Sequence, residues 1–466
     1  LSIRRQRQMC IRDSSKATRW GALVIVAFTM MAAYYVNDVV APLKTMLETD
    51  LAWSSTDFGF FTGGYSFLNV FFLMLIWGGL ILDRFGIRFT GKLATILMVG
   101  GTALEYYAMT GLAGADATLF GINEIFGYKT GVFVAFAGYS IFGVGAEVAG
   151  ITVSKIIAKW FKGKELATAM GVQVALARIG SQAGYAVAIP LARAFGISTP
   201  VLLGLVLLLG GMIAFFIFAV MDKKLDKQME AAAIAAGTED EEEKFSFKDV
   251  KNILVNPGFW LIALLCVLFY SCVFPFQKFA SELMIIKYGI NENVAGTFAG
   301  LPALGALILT PVFGGFIDKR GKSASIMLLG SAMLICVHFI YAIPDINYWL
   351  VAIVLMIILG IAFSLVPSAM WPAVAKIFPV SQLGTAYALI FFIQNIGLWG
   401  IPTLIGWVLD AYCISGKKPD GTNMYDYTVP MCIFTGIACL SLIVALLLKK
   451  ADKKYGYKLE EPNIQK

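Results

Sequence analysis

Charge is scarce in this sequence. Only 14% of its 466 residues are Asp, Glu, Lys or Arg, where a soluble domain carries about 25%. A water-facing surface cannot be built from so few. Histidine is rarer still: His338 stands alone, in an apolar run, which argues against a Ser/His/Asp set. The seven cysteines (Cys10, Cys266, Cys272, Cys336, Cys413, Cys432 and Cys439) form no CxxC pair and no Cys/His spacing suited to a metal. No GxxxxGK[ST] loop occurs, so ATP hydrolysis is not the energy source. An enzyme is the least favoured class, and no cofactor, metal or nucleic-acid partner is expected.

Apolar length is abundant. Hydrophobic residues make up 59% of the chain, and the mean hydropathy is +0.77. Runs of about 20 apolar residues recur, each enough to cross a roughly 30 Å hydrocarbon core. They predict an all-α polytopic membrane protein of twelve spans. In the first half these are 20–42, 58–82, 91–112, 131–158, 166–195 and 200–221. In the second half they are 259–284, 294–317, 323–343, 349–375, 383–409 and 429–448. The expected organisation is a disordered or added leader (1–17), a six-helix bundle (18–222), a charged linker of helical character (223–256), a second six-helix bundle (257–450) and a tail (451–466). The leader lacks the apolar core of a secretory signal. With the amino terminus inside, 29 of the 37 Lys and Arg fall on the inner side and seven on the outer. That bias places both termini and the linker in the cytoplasm, and it accounts for the net charge of +7.

The halves repeat. Gly79, Asp83, Arg84 and Gly86 of "GLILDRFGIR" match Gly314, Asp318, Lys319 and Gly321 at a constant offset of 235. Independently, "KWFKGKELATA" aligns with "KIFPVSQLGTA" at an offset of 217, which carries on from Arg178 to Asn395. Two pseudo-symmetric six-helix bundles in parallel orientation follow, with a site expected at their interface near the midplane. The glycines would let helix ends approach. Asp83 with Arg84 and Arg88 would form a charge cluster that latches one conformation and releases in another.

Two charges interrupt the oil. Glu147 and Arg178 lie at equal distances from the turn at Lys162–Lys164. About 13 residues at 1.5 Å place both roughly 20 Å from the inner end, near mid-bilayer. Intramembrane charge is costly and usually functional. Opposite charges at equal depth can pair, and a paired Glu147 would be a poor proton carrier until substrate breaks the pair, which favours uniport, with proton symport through Asp38 or Glu147 as the alternative.

These residues carry a resemblance. The repeated "GxxxDRxGxR" motif is similar to that of the major facilitator superfamily, across Trp20 to Lys450. "GAEVAGITVSKIIAKWFKGKELATAMGVQVALARIGS" and "MWPAVAKIFPVSQLGTAYALIFFIQNIGL" resemble the branch containing a lysosomal dipeptide uniporter and its bacterial relatives. The resemblance implies a pocket built on Glu147, Arg178 and Trp371. No N-x-S/T sequon lies in an expected outer loop, which favours a bacterial inner-membrane protein.

The expected function is therefore a secondary-active or facilitative transporter that moves small zwitterionic solutes, dipeptides foremost, by alternating access. Arg178 would hold the substrate carboxylate, Glu147 the ammonium, and Trp371 would close over the ligand. Asn395, with Gln394 beside it, would face the same cavity by pseudo-symmetry. Asp38 would gate or bind near the outer end of span 1. Glu105 reads as an interfacial residue, and Lys278 with Glu282 as an (i, i+4) pair or an external gate. The rivals are an organic-anion or carboxylate exchanger using Arg178, and a non-transporting receptor. A monomer with a small-molecule substrate in a lipid bilayer completes the reading.

Overall fold

The computed structural model describes residues 16–114, 117–161, 165–236 and 247–462. Residues 1–15 of the expected leader and 237–246 of the linker lie outside the described residues.

Within hydrocarbon every backbone N–H and C=O needs an internal partner, so apolar runs become helices. In chain order these are α1 (Lys16–Val39), α2 (Lys44–Asp50), α3 (Ser55–Phe71) and α4 (Met74–Thr110), then the hairpin β1 (Glu124–Ile125) and β2 (Tyr128–Lys129). The first half ends with α5 (Thr130–Trp160), α6 (Leu166–Phe195) and α7 (Thr199–Ala236). The second half has α8 (Phe247–Val255), α9 (Pro257–Tyr288), α10 (Glu292–Ala299), α11 (Leu301–Arg320), α12 (Ser323–Ala342), α13 (Trp349–Ile377) and α14 (Val380–Tyr412). A second hairpin, β3 (Ile414–Lys417) and β4 (Asn423–Tyr425), precedes α15 (Thr428–Tyr455).

The twelve spans are all present. Among the described residues nine helices qualify on length and hydropathy, and the bent pair α3–α4 adds a tenth. The second arm of α4 and α6, made less apolar by Arg178 and its glutamines, complete the set. Span 2 is α3 plus the first arm of α4, bent by 58° where Leu73 takes a positive φ. Gly86, at φ 73°, makes the turn into span 3. Span 8 is α10 plus α11, separated at Gly300 just before Pro302. The remaining spans are single helices. The expected boundaries at 222 and 450 fall inside α7 and α15, which continue as helix beyond the apolar stretch.

Burial separates the inner helices from the outer. Spans 4, 1 and 7 bury 72%, 67% and 67% of their apolar windows, whereas spans 6 and 12 bury 33% each. The latter leave Val206, Ile213, Ile443 and Leu446 exposed, as a lipid-facing surface requires.

Both hairpins lie on one face of the bundle, and the described parts of the linker (223–236 and 247–256) and of the tail (451–462) on the other. Two crossings join the halves on the hairpin face. Spans 2 and 11 meet at Gly59 and Gly406, where an added Cβ would lie 2.4 Å from the Pro402 carbonyl and 2.2 Å from the Ser55 carbonyl. Spans 5 and 8 meet at Gly296, where a Cβ would lie 2.3 Å from the Tyr185 carbonyl. The β3–β4 turn is closed by Thr422, whose amide and hydroxyl donate to Asp420 at 2.9 and 2.6 Å. The Thr422 hydroxyl, followed by its amide, holds the Asp420 carboxyl below the usual carboxylate range.

Candidate substrate site

Glu147, on α5, is half-buried and accepts a hydrogen bond from the Tyr65 hydroxyl of span 2 at 3.0 Å. Arg178, on α6, is also half-buried. Its guanidinium lies over two rings, Tyr34 of span 1 at 5.6 Å and Phe363 of span 10 at 4.9 Å. The two side chains do not form the ion pair the sequence suggested: among the described residues no such pair joins them. Aromatic faces attract a cation, and a phenol can donate to a carboxylate, so each charge is met without the other. Tyr34 stands within electrostatic reach of both Arg178 and Glu147. A fixed staple between spans 4 and 5 is absent here.

The second half supplies an aromatic wall. Trp371 is half-buried, stacks on Phe391 with centroids 4.8 Å apart, and meets Tyr387 edge-on at 5.8 Å. The Tyr387 hydroxyl donates to the Trp371 carbonyl at 3.0 Å. Tyr270, on span 7, has Trp371, Arg178 and Tyr34 around it, and Phe274 bridges it to Phe363. Tyr65, Tyr34, Tyr270 and Phe363 were not legible as site residues. A mid-span tyrosine needs a partner for its hydroxyl, but the sequence does not say which.

The other candidates are placed differently. Asn395 is buried, and its amide donates to the Phe391 carbonyl of its own helix at 2.9 Å. Gln394 accepts from the Cys266 thiol at 3.3 Å. Both bonds stay within the second half, and neither side chain is hydrogen-bonded to Glu147 or Arg178 among the described residues. His338 belongs to the core, where its Nε2 bonds the Cys272 carbonyl at 3.0 Å.

Asp38 is committed to a bridge between halves. It accepts from the Ser181 hydroxyl at 2.6 Å and the Asn37 amide at 2.8 Å, and pairs with Lys278 of span 7 at 3.3 Å. Lys278 also donates to the Asn37 carbonyl at 2.6 Å and the Tyr139 hydroxyl at 3.4 Å. Lys278 and Glu282 therefore do not pair along their helix; each is buried and finds a partner in the first half. Glu282 takes Lys44 at 2.6 Å and the Tyr427 hydroxyl. Lys44 also holds Glu48 at 2.5 Å. Lys418, delivered by the β3–β4 loop, sits 3.6 Å from Glu48 and 3.7 Å from Glu282. Asp410 of span 11 accepts from the Thr56 and Ser55 amides at 2.6 and 3.3 Å, a carboxylate at the positive end of α3. These charges and a helix terminus together close the hairpin face.

The repeated motif does something else on the linker face. Asp83 pairs with Lys155 of span 4 at 3.0 Å. Arg88 lies 3.7 Å from Asp222 of span 6, which also takes Lys159 at 2.8 Å and the Trp160 indole N–H at 2.9 Å. Arg84 rests over Phe85, and Lys319 is exposed. Asp318 is half-buried and engaged. The Asp83–Lys155, Arg88–Asp222 and Lys159–Asp222 pairs all stay inside the first half. Gly79 and Gly314 have no atom within 4 Å of an added Cβ, so the expected close approach of helices is absent in this conformation. Gly321, at φ 71°, turns against the backbone of Glu460 and Glu461. That C-terminal segment is tied down by Ser325, whose amide donates to Glu460 at 2.8 Å, and by Lys376, which donates to the Glu461 carbonyl at 2.6 Å.

Comparison with known proteins agrees with this architecture. The sequence matches the Major Facilitator Superfamily over residues 23–402 and again over 276–461. It is 29% identical to the lysosomal dipeptide transporter MFSD1 of Homo sapiens over 457 residues, covering 95% of this chain and 88% of the relative. It is 26% identical to the Danio rerio protein of the same name, covering 92% and 86%. Among solved structures, the inward open xylose transporter XylE from E. coli superimposes with a TM-score of 0.66 at 15% identity, covering 93% of this chain and 96% of that one. A bacterial homolog of the human lysosomal transporter Spinster gives 0.63 at 14% identity, covering 97% and 100%.

Proposed function

We propose a function on one premise: the chain belongs to the Major Facilitator Superfamily. It is a multi-pass membrane transporter. In our reading its cargo is a small zwitterion, a dipeptide foremost, carried by alternating access through the bacterial inner membrane with both termini cytoplasmic. The observation that carries this reading is that Arg178 reaches Phe363 of the second half while Glu147, half-buried, is held by Tyr65, and no ion pair joins the two charges among the described residues. One acceptor and one planar donor fork are thus both available. A peptide α-carboxylate fits the fork of Arg178 through two parallel hydrogen bonds. Its α-ammonium fits Glu147, which Tyr65 holds in place. Trp371, Tyr270 and Phe363 supply apolar area for the side chains, and Trp371 closes over them. The dipeptide transporters among its relatives support the same cargo.

Alternating access gives the two faces their roles. The hairpin face is the sealed gate of this state. The linker face, with Gly79 and Gly314 facing open space, is the side on which the halves have parted. The Lys and Arg bias makes that side cytoplasmic.

Thermal stability of the purified protein against dipeptides, N-acetylated dipeptides and dicarboxylates tests the cargo. A ligand at about 100 times its Kd stabilises by about 2.7 kcal/mol. Dipeptides should raise the melting temperature in the native protein and lose that effect in Glu147→Gln. A shift from dicarboxylates alone, surviving in Glu147→Gln, would make Arg178 an anion site and sink the dipeptide assignment.

A further inference from the structure

Glu105 is a buried acid that the mechanism above does not use. It lies on the span 3 arm of α4 and is fully buried, not interfacial as its sequence position suggested. Among the described residues neither carboxyl oxygen has a hydrogen-bond partner, and the hydroxyl of Thr102, one turn earlier, likewise has none. Span 4 presses on it closely: a Cβ on Gly138 would lie 2.8 Å from the Glu105 backbone nitrogen.

The charged and titratable groups around it are few. Span 4 offers Tyr139, and span 7 offers Lys278, the cation within electrostatic reach. Span 1 offers Asp38, which Lys278 already pairs. Span 6 brings no ionisable side chain between Thr199 and Met221. The first half thus presents two carboxylates, Asp38 and Glu105, and the second half answers with one ammonium. Lys278 is spent on Asp38, the Asn37 carbonyl and Tyr139. An ionised, unpartnered carboxylate in this setting is strongly disfavoured.

We propose that Glu105 is a proton-binding site linked to closure of the hairpin face. When that face is closed, Glu105 is the neutral acid. When the halves part there, Lys278 leaves with the second half, water reaches the Tyr139 region, and Glu105 releases its proton to the hairpin side. Closure takes one proton back from the same side, so acid there favours the closed state. No proton crosses the membrane in this scheme. It rests on the alternating-access reading above and is independent of which solute is carried.

The test needs no substrate. Spin labels at Thr49→Cys and Ser415→Cys, one on each half, report the hairpin-face separation once Cys10, Cys336, Cys432 and Cys439 are changed to alanine. In otherwise native protein the open-to-closed ratio should rise with pH by up to about tenfold per unit. In Glu105→Gln it should stay low and flat, and in Glu105→Asp it should still titrate. The infrared carbonyl band of a protonated carboxylic acid should be present in the native protein at neutral pH and lost in Glu105→Gln. An equal pH response in the native protein and Glu105→Gln would overturn the proposal, as would an infrared band unchanged by the substitution. If the hairpin face never separates at any pH or with any ligand, the alternating-access reading fails instead.

Discussion

On the hairpin face, Gly59 and Gly406 let spans 2 and 11 cross with backbone against backbone, and buried charges from both halves interlock. On the linker face, Gly79 and Gly314 look into open space, and Asp83 and Arg88 find partners inside their own half. Glycines and opposite charges occur at both faces; on the hairpin face they join the halves, and on the linker face Asp83, Arg88, Lys155, Lys159 and Asp222 pair within the first half. A glycine near a helix end gives permission for close approach; the partner helix decides whether the permission is taken. The hairpin-face charges act between halves, whereas the Asp83–Lys155, Arg88–Asp222 and Lys159–Asp222 pairs hold the first bundle together.

That contrast can be broken most severely at Glu282. Changing it to Gln removes one of two carboxylates that answer Lys44 and Lys418, all in a buried cluster. Breaking such a cluster costs about 3–5 kcal/mol. Thermal unfolding should register that loss, and Lys44→Met combined with Glu282→Gln should recover part of it. If the single change left stability untouched, the cluster would not be what seals this face.

The glycines sharpen the comparison. Gly59→Val places atoms against the Pro402 carbonyl, and backbone cannot swing aside, so a loss of about 1–3 kcal/mol is expected. Gly79→Val meets no neighbour here and should leave the melting temperature within the ordinary range of a surface substitution, about 0.5 kcal/mol. It should nevertheless slow solute flux into liposomes by blocking closure of the linker face. Equal effects of the two on stability would mean that the faces do not differ as described.

The smallest effect is expected at Asp83, whose side chain is 64% exposed and whose partner Lys155 is 39% exposed. Water screens such a pair, and Asp83→Asn should cost about 0–1 kcal/mol. A larger loss in thermal unfolding would show that this carboxylate carries more than a solvated pair can.

Much of the fold was legible before any coordinates. Hydrocarbon thickness sets a minimum length for an apolar run, and length is a property of the chain alone. The expectation of twelve spans followed from that, while the duplication was read from motifs repeating at offsets of 235 and 217. The bend at Leu73 and the break at Gly300 were not legible, because an apolar run reads the same whether its helix is straight or bent. The β3–β4 hairpin carries its own signal in Pro419, Asp420 and Gly421. Its consequence, delivery of Lys418 to Glu48 and Glu282, depends on residues far away in the chain.

The sequence by itself determined that Glu147, Arg178, Asp38, Lys278 and Glu282 would need answering, since charge in hydrocarbon is costly wherever it lies. Tertiary structure alone decided the answers. Tyr65 took Glu147, Tyr34 and Phe363 took Arg178, Lys278 crossed to Asp38, and Glu105 was left with no hydrogen-bond partner among the described residues. The cost of a charge follows from its residue type and depth. The identity of its partner follows from which helix faces meet, and that is settled only when the two halves pack.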